Sequence, residues 1–509
     1  MIRAMRRLPN SLYRAEQVRE FDRMAIEELG IAGAELMERA GKAALHVLRE
    51  AWPRARRIAV LAGIGNNGGD AYVVARLALA AGLEVRVWQV GDGTKLKGDA
   101  LRMARLWREA GGETAAYKPG LDLGGTDVVV DGLLGTGLNA RLEGDWADAV
   151  RAINESHAGV LALDIPSGLH ADTGCVLGCA VNAQLTVTFI ALKQGLFTGA
   201  GPRHCGKVVY DDLRLPPQVL ISQAPAVSRL TFAGVAHLLA PRRRDAHKGN
   251  FGHVLIIGGA AGMGGAVRMA GEAALRVGAG LVSIATRPEH AAAISAVRPE
   301  LMCHAVNGAA ELRPLLAKAD VVAVGPGLGQ SRWAQALLGA VLDSDLPVVM
   351  DADALNLLAI EPVQRENWIL TPHPGEAARL LNTDTKAIQA DRFAAVKALQ
   401  QKYAGVVVLK GAGSLVAAAD SPLALCDAGN PGMASGGMGD VLTGVIAGLL
   451  AQRQTLTSDP AQAMLLAARL GVSVHARAAD IAAKEDGERG MLALDVVDAL
   501  REVVNPAQF

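Results

Sequence analysis

The sequence predicts an α/β protein of two domains, each built on a mostly parallel sheet with helices packed against it. Three observations carry this expectation. Short apolar runs alternate with Ala- and Leu-rich stretches of helical length throughout the chain, the rhythm of repeated strand–helix units. At 509 residues the chain exceeds the size at which one hydrophobic core keeps growing. The rhythm breaks most clearly at Leu215–Ala226, LPPQVLISQAPA, where three prolines follow a last strand-like run, Lys207–Leu213. This marks an interdomain linker and gives expected domains of 1–217 and 226–509.

Before the linker, buried strands are expected at Arg57–Ala62, Glu84–Val90, Asp127–Val130, Gly159–Leu163 and Leu185–Ala191. After it they are expected at His253–Ile257, Leu281–Ala285, Asp320–Val324, Pro347–Met350, Asn367–Leu370 and Gly405–Leu409. Each half therefore has strands for its own sheet. No repeat relates the halves: NNGGD occurs early in the first, and GGMGD lies near the end of the second. Two different sites are expected, not one duplicated site.

Apolar residues make up 51% of the chain and aromatics 4%, so Ala, Val, Leu and Gly must carry the close packing of layers. Lys plus Arg and Asp plus Glu both number 51, which leaves no net field to draw in nucleic acid or an acidic membrane. Arg3, Arg6 and Arg7 are followed by no apolar segment, so a signal peptide is not expected, and no run of 18 apolar residues supports a membrane span. A soluble cytoplasmic protein is expected, one that forms a homo-oligomer. The odd count of five cysteines fits a reducing compartment. Cys175, Cys179 and the His204–Cys205 pair match no zinc spacing and read as small buried residues.

In the first half, Arg57–Gly65 (RIAVLAGIG) runs into Asn66, Asn67, Gly68, Gly69 and Asp70 before an expected helix over 71–82. Such a turn offers backbone N–H groups and a helix N-terminus to an anion; a capped strand-to-helix turn is the plainer reading. Polar loops recur after strands at Asp131–Gly137 (DGLLGTG) and Asp164–Gly168 (DIPSG). Three such loops at the carboxyl ends of parallel strands converge on one crevice. Asn67, Asp131 and Ser167 offer oxygen ligands suited to a hard cation.

LMERAG at Leu36–Gly41, GNNGGDAYVVAR at Gly65–Arg76, DGLLGTGLNAR at Asp131–Arg141, DIPSGL at Asp164–Leu169 and the Lys193 segment ALKQGL together resemble NAD(P)H-hydrate epimerase, a Rossmann-like α/β/α domain, over nearly the whole first half. The resemblance implies substrate contacts at Asn66–Asp70 and at Gly135, Thr136, Gly137, Leu138, Asn139, Ala140 and Arg141. It also implies K+ on Asn67, Asp131 and Ser167, and Asp164 as the catalytic acid/base at the hydrated ring carbon. Inverting that carbon needs a proton relay. From the residues alone, Asp164 serves equally well as a cap for the following turn.

In the second half, Asn430–Ala451 (NPGMASGGMGDVLTGVIAGLLA) is a glycine-rich loop opening an apolar helix with one carboxylate, Asp440, at its mouth. Gly436, Gly437 and Gly439 can expose N–H groups to phosphate. Asp440 beside a bound phosphate could take a proton from an attacking hydroxyl. A capping Asp is the plainer reading, and neither a Walker lysine pattern nor a protein-kinase catalytic loop accompanies it.

The segments His247–Val282, VGPGLG at Val324–Gly329, DADALNLL at Asp351–Leu358, LTPHPGEAARLL at Leu370–Leu381 and LKGAGSLV at Leu409–Val416 resemble ADP-dependent NAD(P)H-hydrate dehydratase, a relative of ribokinase-like small-molecule kinases. This implies nucleotide binding by Lys410, Gly411, Ala412, Gly413, Ser414 and Gly439, and hydrate contacts at Ala266, Gly327, His373 and the catalytic Asp440. It implies ADP as co-substrate with Mg2+, and NADHX and NADPHX as the small-molecule partners. Plainer readings stand beside these: His373 as a rigid turn residue, Lys410 as a solvent-facing strand end, Arg242–Arg244 as a solvated basic loop, and Asp353 as a helix N-cap instead of a water-mediated magnesium ligand with Asp351. The magnesium ligands are unassigned. Two rivals to the whole reading are a small-molecule kinase, which the same loop and Asp440 would serve, and a noncatalytic first half.

Overall fold

The computed structural model describes residues 8–506; Arg3, Arg6 and Arg7 lie outside them. The chain divides into two compact units, the first ending at Ser228 and the second beginning at Arg229. In the first unit the strands are β1 (Ser11–Tyr13), β2 (Arg57–Ala62), β3 (Glu84–Gln89), β4 (Thr114–Ala116), β5 (Val128–Gly132), β6 (Gly159–Leu163), β7 (Leu185–Phe189), β8 (Leu192–Lys193) and β9 (Lys207–Asp211). Seven form a parallel sheet in the order β4-β3-β2-β5-β6-β7-β9. Its two faces carry separate apolar cores, one with Ile58, Val60, Val128 and Val130, the other with Ala59, Leu61, Val129 and Val160. Helices therefore cover both sides, as a sheet of doubly buried Val and Leu requires.

Three features depart from the sequence expectation. The NNGGD segment is already helical, because the helix runs Asn66–Ala80 and does not wait for Ala71. The run Leu185–Ala191 breaks at Ile190, which sits in the left-handed region (φ 66°), and the chain resumes as β8. There Lys193 pairs with Tyr13 of β1, parallel, while Ser11 and Leu12 pair antiparallel with Ser228 and Val227 of β10 (Val227–Leu230). Thirdly, Leu215–Ala226 is not free chain. It contains the short helix Pro217–Ile221, Leu215 and Val219 belong to the first unit's core, Tyr13 Oη donates to Leu220 O (3.3 Å), and Gln17 Nε2 donates to Ala224 O (2.9 Å).

In the second unit the strands are β11 (His253–Ile257), β12 (Leu281–Thr286), β13 (Met302–Ala305), β14 (Val321–Val324), β15 (Val348–Met350), β16 (Trp368–Leu370), β17 (Val406–Leu409), β18 (Ser414–Ala417) and β19 (Ala424–Cys426). The order β13-β12-β11-β14-β15-β16-β17 is parallel, and β18 and β19 continue it antiparallel. The apolar helix Met438–Ala451, buried along nearly its whole length, packs against one face together with Gly264–Arg276 and Pro460–Asp486. No disulfide joins the cysteines, of which Cys205 and Cys426 are buried and the other three half-buried. Among the described residues no helix is long and apolar enough to cross a membrane.

A first-unit fragment ending at Gln218 should be less stable than one ending at Ser228. It loses the buried Val219 and the acceptors for Tyr13 and Gln17, together about 2–4 kcal/mol. Urea unfolding of the two fragments measures the difference, and equal midpoints would show that 215–226 contributes nothing to the fold.

Two candidate active sites

The first sheet reverses its strand order between β2 and β5, which opens a crevice at the carboxyl ends of those strands. Three loops enter it. Gly65 precedes the helix Asn66–Ala80, and its first intrahelical bond is Gly69 N–H to Gly65 O (3.1 Å). The N–H groups of Asn66, Asn67 and Gly68 thus point out of the helix end without an intrahelical partner. Gly68 and Gly69 are buried for packing, since a Cβ at 68 would fall on the Gly63 carbonyl and one at 69 would meet Met37. The loop after β5 brings Gly135 against both other segments: a Cβ there would stand 3.5 Å from Asn67 Cβ and 3.5 Å from Asp164 Oδ2. Thr136–Arg141 continues it as a largely exposed rim, closed by the Leu142 N–H to Leu177 O bond (2.9 Å).

Below this rim lie the three residues expected to hold a cation. Asp131 is fully buried and accepts from Ser167 Oγ (2.6 Å), Ser167 N–H (2.8 Å) and Leu133 N–H (3.2 Å). Burial pushes its carboxyl up to about 6 against the pull of those donors. Asn67 is 6% exposed, yet among the described residues neither its Oδ1 nor its Nδ2 has a hydrogen-bond partner. A buried amide left unpaired costs roughly 1–3 kcal/mol, so its oxygen calls for a ligand. One carboxylate with neutral oxygens suits a monovalent cation better than a divalent one. Among the described residues no cluster of three His, Cys, Asp or Glu is placed to hold a metal, Cys175, Cys179, His204 and Cys205 included.

Asp164 follows β6 in the left-handed region (φ 64°), a conformation that Asp tolerates better than most residues. Its carboxylate meets the Lys193 ammonium and accepts the Phe189 N–H (3.3 Å). Lys193, 1% exposed, also donates to Phe189 O (2.8 Å) and Thr188 Oγ1 (3.1 Å). Two more carboxylates sense this pair. Burial, and after it the charges of Asp164 and Asp22, hold Asp70 well above the carboxylate range. Burial, with the charge of Asp164 adding to it and Lys193 opposing, lifts Asp22 to about 6. Asp22 was not legible as a site residue, because it sits in an ordinary amphipathic helix, Ala15–Arg23.

The second sheet reverses between β11 and β14, and its loops interlock there: Gly259 N–H bonds Pro326 O (3.0 Å) and Ala260 N–H bonds Gly327 O (2.6 Å). Gly327 (φ 54°) lies against the helix Gly264–Arg276, where a Cβ would come within 3.2 Å of Ala266 Cβ. Moving across the strand ends, Gly329 N–H bonds Asp353 Oδ2 (2.8 Å). Asp353 is therefore not the N-cap of the helix Ala352–Ile360; Asp351 occupies that position. Asp351 itself is buried and accepts from Lys410 Nζ (2.5 Å) and Thr443 Oγ1 (2.9 Å).

Lys410 is thus no solvent-facing strand end. Although burial opposes its charge, Asp351 and Glu376 (3.7 Å) hold its ammonium above the usual lysine range. Its backbone N–H bonds Pro372 O (2.9 Å), which sets it beside His373. His373 caps the helix Pro374–Leu381: Nδ1 accepts the Gly375 N–H (2.9 Å), and Nε2 lies 3.3 Å from Glu376 Oε1. Burial and the nearby Lys410 charge lower its pKa, so the ring is neutral. From the other side comes the helix Met438–Ala451, whose N-cap is Gly437 (φ 92°), not Asp440. A Cβ at Gly439 would stand 3.3 Å from both Asp351 Oδ2 and Lys410 Nζ. Asp440, next along, is pushed up to about 7 by burial, with Asp351, Asp353 and Glu376 adding to the effect and Lys410 opposing it. Ala266 and Gly327 thus lie together at the reversal, and His373, Lys410, Gly439 and Asp440 gather around Asp351 and Glu376 at the neighbouring strand ends. Arg242 of the basic run lies elsewhere, stacked on Phe251 (3.6 Å) and bonded to Gly278 O (2.5 Å).

The comparisons with known proteins divide the chain the same way. Residues 33–195 match the family model described as YjeF-related protein N-terminus, and residues 254–502 match the model described as NAD(P)H-hydrate dehydratase. The chain is 52% identical to the bifunctional NAD(P)H-hydrate repair enzyme Nnr of Coxiella burnetii, over 97% of this chain and 99% of the relative. It is 46% identical to the protein of that name from Escherichia coli, over 98% and 95%. A crystal structure of a ribokinase-like superfamily protein from Enterococcus faecalis is 29% identical, with a TM-score of 0.50, covering 55% of this chain and 96% of that one.

Asp440→Asn should stabilise the protein. The folded-state carboxyl titrates near 7 against about 3.9 when unfolded. Folding is therefore disfavoured progressively as pH rises from about 4 to 7, and the full cost is present above 7. Asn removes that cost, so its gain of about 1–3 kcal/mol should be complete at pH 8 and vanish near pH 4. Denaturant unfolding at the two pH values tests this, and a loss of stability at pH 8 would remove the electrostatic account of Asp440.

Proposed function

The chain belongs to the family of bifunctional NAD(P)H-hydrate repair enzymes, and we propose which of its residues carry each of the two reactions. The repaired molecules are NADH and NADPH that have added water across the nicotinamide ring. The first half interconverts the R and S hydrates, and the second dehydrates the S form with ADP, yielding NAD(P)H, AMP and phosphate.

In the first unit, Asp164 acts as the acid/base at the hydrated carbon. Lys193 binds its Oδ1 and fixes it in its left-handed turn, so that Oδ2, facing Gly135, remains for the substrate. The outward N–H groups of Asn66, Asn67 and Gly68 receive the pyrophosphate, Gly69 and Asp70 extend that contact, and Gly135–Arg141 forms the rim over it. Asn67, Asp131 and Ser167 hold K+, which when bound would supply a fixed positive charge beside an anionic substrate; the unpaired Asn67 amide is what supports this ligand set.

In the second unit, the Lys410–Ser414 loop and Gly439 hold the adenine nucleotide, and Ala266, Gly327 and His373 contact the hydrate. The single observation that carries the assignment is Asp440: a carboxyl titrating near neutrality, at the N-terminus of a helix, beside a lysine already paired with Asp351. It takes the proton of the ring hydroxyl as that oxygen attacks the β-phosphorus of ADP and AMP departs. Phosphate then leaves with loss of a ring proton, which restores the double bond. Magnesium usually takes one or two carboxylates and completes its shell with substrate phosphates and water; Asp353 would offer oxygens of that kind, and Asp351, bound to Lys410, would not. A cytoplasmic location fits these substrates.

Two substitutions should separate the reactions. Asp164→Ala abolishes R-to-S conversion and leaves the S hydrate repaired at the normal rate. Asp440→Asn slows S-hydrate turnover by about 10²–10⁴ and leaves ADP affinity and epimerisation largely intact, because Asn keeps the shape of the helix entry. A stereochemically resolved assay of both hydrates reads both outcomes. Turnover of the S hydrate by Asp440→Asn within a few-fold of wild type would return Asp440 to a structural role.

A further inference from the structure

The loop Lys410–Ser414 is shaped by a residue outside every motif considered so far. Arg392, at the start of the helix Arg392–Tyr403, is 1% exposed. Its Nη2 donates to three backbone carbonyls of this loop and its approach, Leu409 O (3.3 Å), Lys410 O (3.2 Å) and Gly413 O (3.4 Å), while Nη1 donates to Gln389 Oε1 (3.1 Å). Gly411 (φ 136°) rests on the guanidinium, where a Cβ would stand 3.0 Å from Nη1.

We propose that Arg392 is the positioning residue for nucleotide binding: by drawing these carbonyls inward it turns the Gly411 N–H outward, into the crevice, as a donor for the ADP phosphates. In a trans peptide the C=O of one residue and the N–H of the next point to opposite sides. The rule can be read on the preceding peptide, where Leu409 O faces Arg392 and Lys410 N–H faces Pro372 O on the crevice side. The next peptide also gives its oxygen to Arg392, so the Gly411 N–H points the other way, and among the described residues no acceptor takes it. The loop is closed from within by Ser414 Oγ donating to Gly411 O (3.1 Å). Burial lowers the guanidinium only to about 10, so it stays charged at neutral pH and places a positive charge directly beneath the bound diphosphate. The glycine at 411 is then required on both sides: by the guanidinium below and by the phosphate above.

This inference rests on the reading that Lys410–Ser414 holds the nucleotide, and the experiment keeps the two apart. In the full chain, ADP affinity is measured by calorimetry for wild type, Arg392→Met and Arg392→Lys, with epimerisation as the control for folding. Steady-state dehydration of the S hydrate is followed in parallel. Arg392→Met should raise the Kd and KM for ADP about ten- to hundred-fold, with kcat at saturating ADP within about three-fold and the KM for the hydrate unchanged. Arg392→Lys, which keeps the charge but loses the planar fork, should fall between the two. A structural defect would instead lower kcat or the active fraction and leave KM alone. If Arg392→Met does not fold, Arg392→Lys decides, and a wild-type KM for ADP in that variant overturns the proposal. Failure of ADP to bind the wild type would overturn the nucleotide loop itself.

Discussion

In each half of the molecule one lysine, buried at 193 and half-buried at 410, is bound to one aspartate, and the proposed chemistry of the site depends on that pair. Lys193 is held by Asp164 and Lys410 by Asp351. A buried ion pair adds little net stability, but removing one partner leaves a charge stranded in low dielectric at a cost of about 3–5 kcal/mol. The pair has a second consequence. The lysine's charge is largely spent on its partner, so further carboxylates nearby gain less from it than burial takes away. Asp22 rises to about 6, Asp440 to about 7, and Asp70 and Glu376 rise as well. Groups titrating close to working pH are what proton transfer needs, and the folded chain supplies them without histidine.

The sheets put those pairs where substrates can reach them. In both units the strand order reverses once, between β2 and β5 and between β11 and β14, and the loops that matter leave the carboxyl ends on either side of the reversal. A helix N-terminus supplies backbone donors in each unit, Asn66–Ala80 and Met438–Ala451. The halves share no sequence repeat, yet both combine a glycine-opened helix, a lysine paired with an aspartate and an excess of carboxylate. The requirement is common: bind a phosphorylated anion and move a proton beside it.

The legible part of the fold was the part with doubly buried strands. Arg57–Ala62, Gly159–Leu163 and His253–Ile257 have the bounds their apolar runs suggested. Strands β1, β4, β13, β18 and β19 were not legible, being only three or four residues long, and β1 is the one that pairs with Lys193. The NNGGD segment reads as a turn because Asn and Gly are poor helix formers; tertiary packing on Gly63 overrides that preference. Prolines marked Leu215–Ala226 as a break in the rhythm, but they carry no information on whether such a segment packs. At the sites, Asp164, Asp440, Lys410 and Asn67 could be named from their motifs. Asp22 and Arg392 could not, since AEQVREFDR and RFAAVKALQQKY look like ordinary surface helices, and only the fold shows which side chain turns inward.

The account stands most directly on the claim that the Asp351–Lys410 pair leaves Asp440 poised near neutrality. The measurement is the pH dependence of single-turnover dehydration of the S hydrate at saturating ADP, in wild type and in Asp351→Asn. On the proposal that Asp440 takes the hydroxyl proton, its deprotonated form is the active one, so the wild-type rate should rise with pH and level off above about 7. Asp351→Asn removes a neighbouring negative charge and frees Lys410 to act on Asp440, so the rising limb should move to lower pH even if the plateau falls. A wild-type rate independent of pH from 5 to 8 on this axis, roughly the span over which the group would titrate, or a limb that Asp351→Asn leaves in place, would contradict it.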